Sequence, residues 1–283
     1  EENFNGYFGI EKDTDFELNE KQARYGFTQF GFGYGWHIFD PRFDLSDPDY
    51  ANEYNRFGWI VEIDPQNPDK PPVKHTALGC FKHEGIAIRE TKTGKLHCYM
   101  GDDQRFDYCY KFVTKYSWRK ARDRGVSPFA EGTLYVARFN DDGTGDWLEL
   151  SMNNPLLAAK FSSQAELLVN TRIAADIVGA TPMDRPEWTT IAADNDSVFW
   201  TLTNNSRRAA DQTDAANPQG PNNDGHIIKT LDRGEGNGKK FDWEIFILAS
   251  STRGTPEVFT DPDAAYADRE GRLFIGTDGG QPD

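Results

Sequence analysis

Short aromatic and β-branched runs recur along the whole chain, and turn-forming residues close each one after a few positions. Phe57–Ile63 (FGWIVEI) stops at Asp64-Pro65. Ile86–Arg89 and Leu96–Met100 flank the turn Thr91-Lys92-Thr93-Gly94, and Tyr108–Val113 follows. Thr133–Phe139 and Trp147–Leu150 flank Asn140–Gly145, and Ser197–Thr203, Gly225–Leu231, Trp243–Leu248 and Arg272–Gly276 continue the series. Runs of this length with Gly, Asn and Asp between them predict strands joined by tight turns, in a sandwich, barrel or propeller. Two segments, 194–205 (DNDSVFWTLTNN) and 268–280 (DREGRLFIGTDGG), share an acidic turn, an apolar strand and a polar end. That loose echo favours a propeller, whose strand ends gather loops around one mouth. The expected fold is therefore all-β and propeller-like, in one domain over residues 1–283, with long strand-poor loops at 40–55 and 204–223. One isolated helix is expected at Ser163–Val178, with Ser163 and Glu166 as a capping box and Gly179 as the stop.

Charge narrows the function. Asp and Glu number 46 against 31 Lys and Arg, a net charge of −15. Such a surface repels phosphodiester backbones and attracts cations, so nucleic acid is not an expected partner. No apolar run approaches the roughly 20 residues of a membrane-spanning helix, and no membrane partner is expected. Cys80, Cys98 and Cys109 form no CxxC pair and read as core residues. The chain carries no GxSxG elbow, P-loop or HExxH. Asp141–Asp146 has the composition of a calcium loop but lacks its closing Glu, and reads as a hairpin turn.

Four short blocks carry oxygen-rich chemistry. Gly79–Gly85 (GCFKHEG) sets His83 and Glu84 between glycines ahead of a strand. Met100–Asp103 closes the partner strand with two carboxylates. Thr181–Trp188 (TPMDRPEW) fixes Arg185 and Glu187 around a proline, and Asp278 ends a strand beside two glycines. Carboxylate oxygens are hard ligands suited to calcium, magnesium and ferric iron. Taken singly, each block also fits a plainer role: a strand-end Asp as turn former, a surface His-Glu pair, or an Arg185 ion pair with Asp184 or Glu187.

Taken together, these blocks resemble the PhoX-type alkaline phosphatases, a secreted bacterial family. The resemblance rests on Glu1–Gly9 (EENFNGYFG), 78–85 (LGCFKHEG), 99–103 (YMGDD), 110–113 (YKFV), 132–147 (GTLYVARFNDDGTGDW), 183–188 (MDRPEW), 222–229 (NNDGHIIK) and 271–280 (GRLFIGTDGG), in that order along nearly the whole chain. It implies a β-propeller with a cluster of iron and calcium ions at its mouth, acting on phosphate monoesters. It implies Arg185 as the phosphoryl contact and Glu1, Glu84, Glu187 and Asp278 as metal ligands, with Asp102 and Asp103 as calcium ligands. The family's cysteine ligand precedes the position of Glu1 and its sequences run past the TDGG block, so the chain reads as truncated at both ends. An incomplete propeller exposes strand edges that invite oligomerisation. The competing reading is a propeller that binds calcium or a partner without catalysis; a lactonase with a single hard cation stands behind it.

Overall fold

The computed structural model describes residues 1–11, 14–234 and 238–279. Thirteen strands are assigned among them: β1 (Ile60–Glu62), β2 (Val73–His75), β3 (Ala87–Glu90), β4 (Leu96–Gly101), β5 (Cys109–Thr114), β6 (Gly132–Phe139), β7 (Thr144–Glu149), β8 (Pro186–Ile191), β9 (Ser197–Leu202), β10 (His226–Arg233), β11 (Lys240–Leu248), β12 (Pro262–Ala267) and β13 (Leu273–Thr277). Nine form one antiparallel sheet in the order β3-β4-β5-β6-β7-β11-β10-β9-β8, while β1–β2 and β12–β13 pair separately. The long sheet curls until its two ends meet. Thr189 Oγ1 on β8 donates to Tyr99 O on β4 at 3.0 Å, and Arg89 Nε on β3 donates to Asn195 O at 2.6 Å. The all-β, propeller-like expectation holds.

The period-2 alternation of the strands explains why this sheet is buried on both faces. Cys98, Met100, Tyr110, Phe112, Leu134 and Val136 point to one side, against Leu157, Leu167, Ile173 and Ala174 of the helical segment. The intervening Tyr99, Cys109, Val113, Tyr135 and Ala137 point to the other, where Trp147, Trp200, Ile228 and Phe241 fill the inside of the curl. A third core gathers Phe4, Phe8, Tyr25, Phe27, Tyr54 and Trp59 and anchors the amino-terminal segment. All three cysteines are buried and free, as expected of core residues.

The helix expectation needs correction. Five short α-helices are assigned among the described residues: α1 (Glu20–Arg24), α2 (Trp118–Asp123), α3 (Pro155–Lys160), α4 (Gln164–Val169) and α5 (Thr171–Val178). The predicted single helix breaks at Asn170, whose backbone leaves the helical region and whose side chain caps the Glu166 carbonyl at 2.9 Å. Ser163 caps α4 as expected, but the Glu166 carboxylate reaches back to Ser162 N at 2.7 Å and not to Ser163. Gly179 does terminate α5 in the left-handed conformation. Arg172 of α5, two residues after the break, is fully buried.

Candidate metal centre

Two close approaches of backbone assemble the site. A Cβ on Gly101, at the end of β4, would stand 2.3 Å from Glu187 O and 2.4 Å from Pro186 O, so only glycine lets β4 run this close to β8. Gly85 likewise lies under the Trp188 indole, with a Cβ position 2.9 Å from the ring. These contacts bring the Glu84 loop, the Asp102-Asp103 segment and the start of β8 together. Asp103 N donates to Lys82 O at 3.1 Å, which ties the first two in place.

Two groups of carboxylates converge there. Glu2, Glu84 and Asp103 offer ligand oxygens within 4.8 Å of one another, and so do Glu84, Glu187 and Asp263, with Glu84 shared. Arg185 stands among them. Its Nε donates to Asp103 Oδ1 at 2.8 Å, and Nη2 donates to Asp103 Oδ2 at 3.1 Å and lies 2.7 Å from Glu187 Oε1. Arg185 holds φ at +58°, a left-handed backbone that a non-glycine residue adopts at a cost of about 1 kcal/mol or more. Strain of this kind collects at functional sites.

The electrostatics are those of crowded anions. Burial, then the neighbouring Glu84 and Asp103, pushes the Glu2 carboxyl up to about 8. Burial and Asp103 push Glu187 up to about 10. Glu84 and Asp263 are also raised, burial again leading. Glu187 Oε1 is buried and, although close to Arg185, is not aligned for a hydrogen bond. An orphaned carboxylate oxygen among raised carboxyls is the donor set that a hard cation satisfies.

The predicted residues distribute unevenly. Glu84, Asp103, Arg185 and Glu187 come together. Asp278 is exposed at the edge, outside both donor groups but near enough to act electrostatically on Arg185 and Asp263. Glu1 is turned away: its carboxylate accepts from Lys74 Nζ at 2.8 Å and from Trp59 N at 3.1 Å, while the adjacent Glu2 joins Glu84 and Asp103. Asp102 also faces the other way. It is fully buried and takes Arg172 Nε at 2.8 Å and Nη2 at 2.5 Å, with Lys82 N at 3.1 Å. Its role is to hold the Lys82–Glu84 loop. His83 is a packing residue, with Nε2 2.9 Å from Gly79 O and its ring tilted at 31° against Phe81, centroids 3.6 Å apart; burial lowers its pKa to about 3. Sequence reasoning missed Glu2 and Asp263. The signal for Glu2 lay one residue from the expected ligand, and Asp263 sits in an Asp-Pro-Asp run opening an Ala-rich strand with no apolar pattern.

The fold and site define a propeller-like all-β protein with two converging carboxylate groups flanked by an arginine. The chain matches the family described as alkaline phosphatase PhoX over residues 1–283, and it belongs to that family. It is also similar to the structure of Pseudomonas fluorescens PhoX in complex with vanadate, a transition state analogue, at 40% identity and a TM-score of 0.88. That likeness covers 99% of this chain and 52% of that one, so the chain spans about half the length of the solved relative. No curated protein matches.

Proposed function

We propose that this chain carries the metal-binding and phosphoryl-binding part of a secreted phosphatase that hydrolyses phosphate monoesters at a cluster of iron and calcium ions. The observation that carries the reading is the pair of three-carboxylate groups sharing Glu84, with Arg185 between Asp103 and Glu187. Family membership and the vanadate complex of the Pseudomonas relative support it.

Glu2, Glu84, Asp103, Glu187 and Asp263 would hold the cations, and Asp278 adds negative charge at the edge. Bound cations neutralise a phosphoryl dianion, orient it and acidify water. The chain's own part is positional. Glu84 joins the two donor groups, so both depend on the Gly85–Trp188 contact that fixes its loop. Asp103 and Glu187 hold the Arg185 fork at the edge of the carboxylate groups. With those carboxylates engaged by cations, the fork would be free to meet two phosphoryl oxygens and would stabilise charge moving toward the leaving group. The left-handed backbone at Arg185 aims that fork while the next residues enter β8.

The test is a p-nitrophenyl phosphate assay on protein loaded with iron and calcium, together with elemental analysis. Turnover with both metals retained supports the proposal. Calcium alone, or no metal, with no turnover favours the non-catalytic binding module and refutes it.

A further inference from the structure

Beside the carboxylate cluster lies a second group of charges, of opposite sign. Arg105, two residues after Asp103, is paired backbone to backbone with Asp184 in an isolated antiparallel bridge, which sets it next to Arg185. Phe106 N donates to Met183 O at 2.8 Å and Met183 N to Asp107 O at 2.9 Å, extending the pairing. Phe106 and Arg185 both take left-handed backbones, at φ +70° and +58°, so strain flanks both arginines. A third loop joins them through Asn204, which accepts from Arg105 Nη2 at 3.3 Å and donates to Asp261 at 2.6 Å; Arg207 follows in that loop.

The buried acid beneath these loops cannot neutralise them. Asp184 already accepts from Arg208 Nε at 2.7 Å and from Asn222 Nδ2 at 2.9 Å. In a chain of net charge −15, the other arginines near the site are matched: Arg172 with Asp102, Arg185 with Asp103 and Glu187, Arg208 with Asp184. Among the described residues Arg105 and Arg207 form no ion pair, and Arg105 Nε is buried without a hydrogen-bond partner. Arg185 and Arg207 lie near enough to Arg105 for their like charges to act on it. Cations held together against their own repulsion, beside a surplus of carboxylates that they do not bind, form a receptor for an external anion.

We infer that Arg105 and Arg207 form a second-anion subsite, which takes a second phosphate carried on the leaving-group side of a substrate whose first phosphate meets Arg185. The inference rests on the phosphatase reading for the identity of the first group. Phosphate suits the subsite because guanidinium forks match its oxygens in pairs.

The experiment compares glucose 1,6-bisphosphate with glucose 6-phosphate, which differ by the second phosphate alone. Binding to the metal-loaded chain is measured by calorimetry and hydrolysis by phosphate release. The wild-type chain should prefer the bisphosphate by about tenfold, the effect of roughly one well-placed charge-assisted contact. In Arg105→Gln that ratio should fall to within about twofold of one, and Arg105→Lys should keep part of it. Arg207 is exposed, so Arg207→Gln should leave folding intact, and it should lower the same ratio. A wild-type ratio near one, or an unchanged ratio in both glutamine variants, overturns the subsite. Binding with the preference but no hydrolysis refutes the phosphatase reading and leaves the subsite standing; hydrolysis of both esters without preference does the reverse.

Discussion

Replacing Gly101 by alanine tests whether the approach of β4 to β8 builds the site. The new Cβ would lie 2.3 and 2.4 Å from the Glu187 and Pro186 carbonyl oxygens. Both obstacles are backbone, so no rotamer change relieves them. Restoring ordinary van der Waals contact requires the strands to part by about 1 Å. Overpacking of this kind costs about 1–3 kcal/mol. The larger effect falls on function, because Asp103 lies two residues beyond Gly101 and Glu187 carries one of the clashing oxygens. A displacement of about 1 Å at a reacting centre can cost on the order of a hundredfold in rate. Urea unfolding, elemental analysis and p-nitrophenyl phosphate turnover measure the three effects. Gly101→Ala protein that unfolds within about 0.5 kcal/mol of wild type, retains its metal and turns over normally refutes the reasoning.

Three further outcomes are expected. Arg185→Gln should lower turnover by about 10²–10³, the range for losing one preorganised donor to a developing oxyanion, while metal content stays at the wild-type level; loss of metal as the main effect would contradict this role. Arg172→Met strips the fully buried Asp102 of its guanidinium and should cost about 3–5 kcal/mol in urea unfolding, with part recovered by adding Asp102→Leu. Metal-free protein should lose stability as pH rises: Glu2 at about 8 and Glu187 at about 10 keep protons in the folded state that an unfolded carboxyl releases near 4.5. The loss begins near pH 4.5 and continues through about pH 8 for Glu2 and about pH 10 for Glu187; melting curves with chelator should show it, and added calcium should flatten it.

The strands were legible where both faces of the sheet are buried. Continuous apolar runs such as Ser197–Thr203 and Tyr108–Val113 became β9 and β5 because neither needs a polar side. β8 and β12 were not legible, since one opens on Pro186-Glu187 and the other reads PDAAYA, and their packing comes from side-chain hydrogen bonds such as Thr201 Oγ1 to Asp263 O at 2.6 Å. These are the two strands that carry Glu187 and Asp263. The helix break was hidden because Asn170 falls within an otherwise regular apolar spacing. At the site, the motif blocks gave the residue neighbourhoods but not the directions of side chains. Asp102 and Asp103 are adjacent, so backbone alternation sends one into the Arg172 pair and the other to Arg185. The same alternation separates Glu1 from Glu2, and no spacing argument fixes which of two neighbouring acids faces the cluster.

The claim that carboxylates from five distant segments converge to hold cations against Arg185 is tested most directly by element-resolved anomalous scattering from crystals grown with iron and calcium. Ions are expected within about 2.0–2.6 Å of Glu84 oxygens, one group also touching Glu2 and Asp103 and the other Glu187 and Asp263. Ions bound only elsewhere, with Glu84 and Glu187 still paired to protein groups alone, would contradict it.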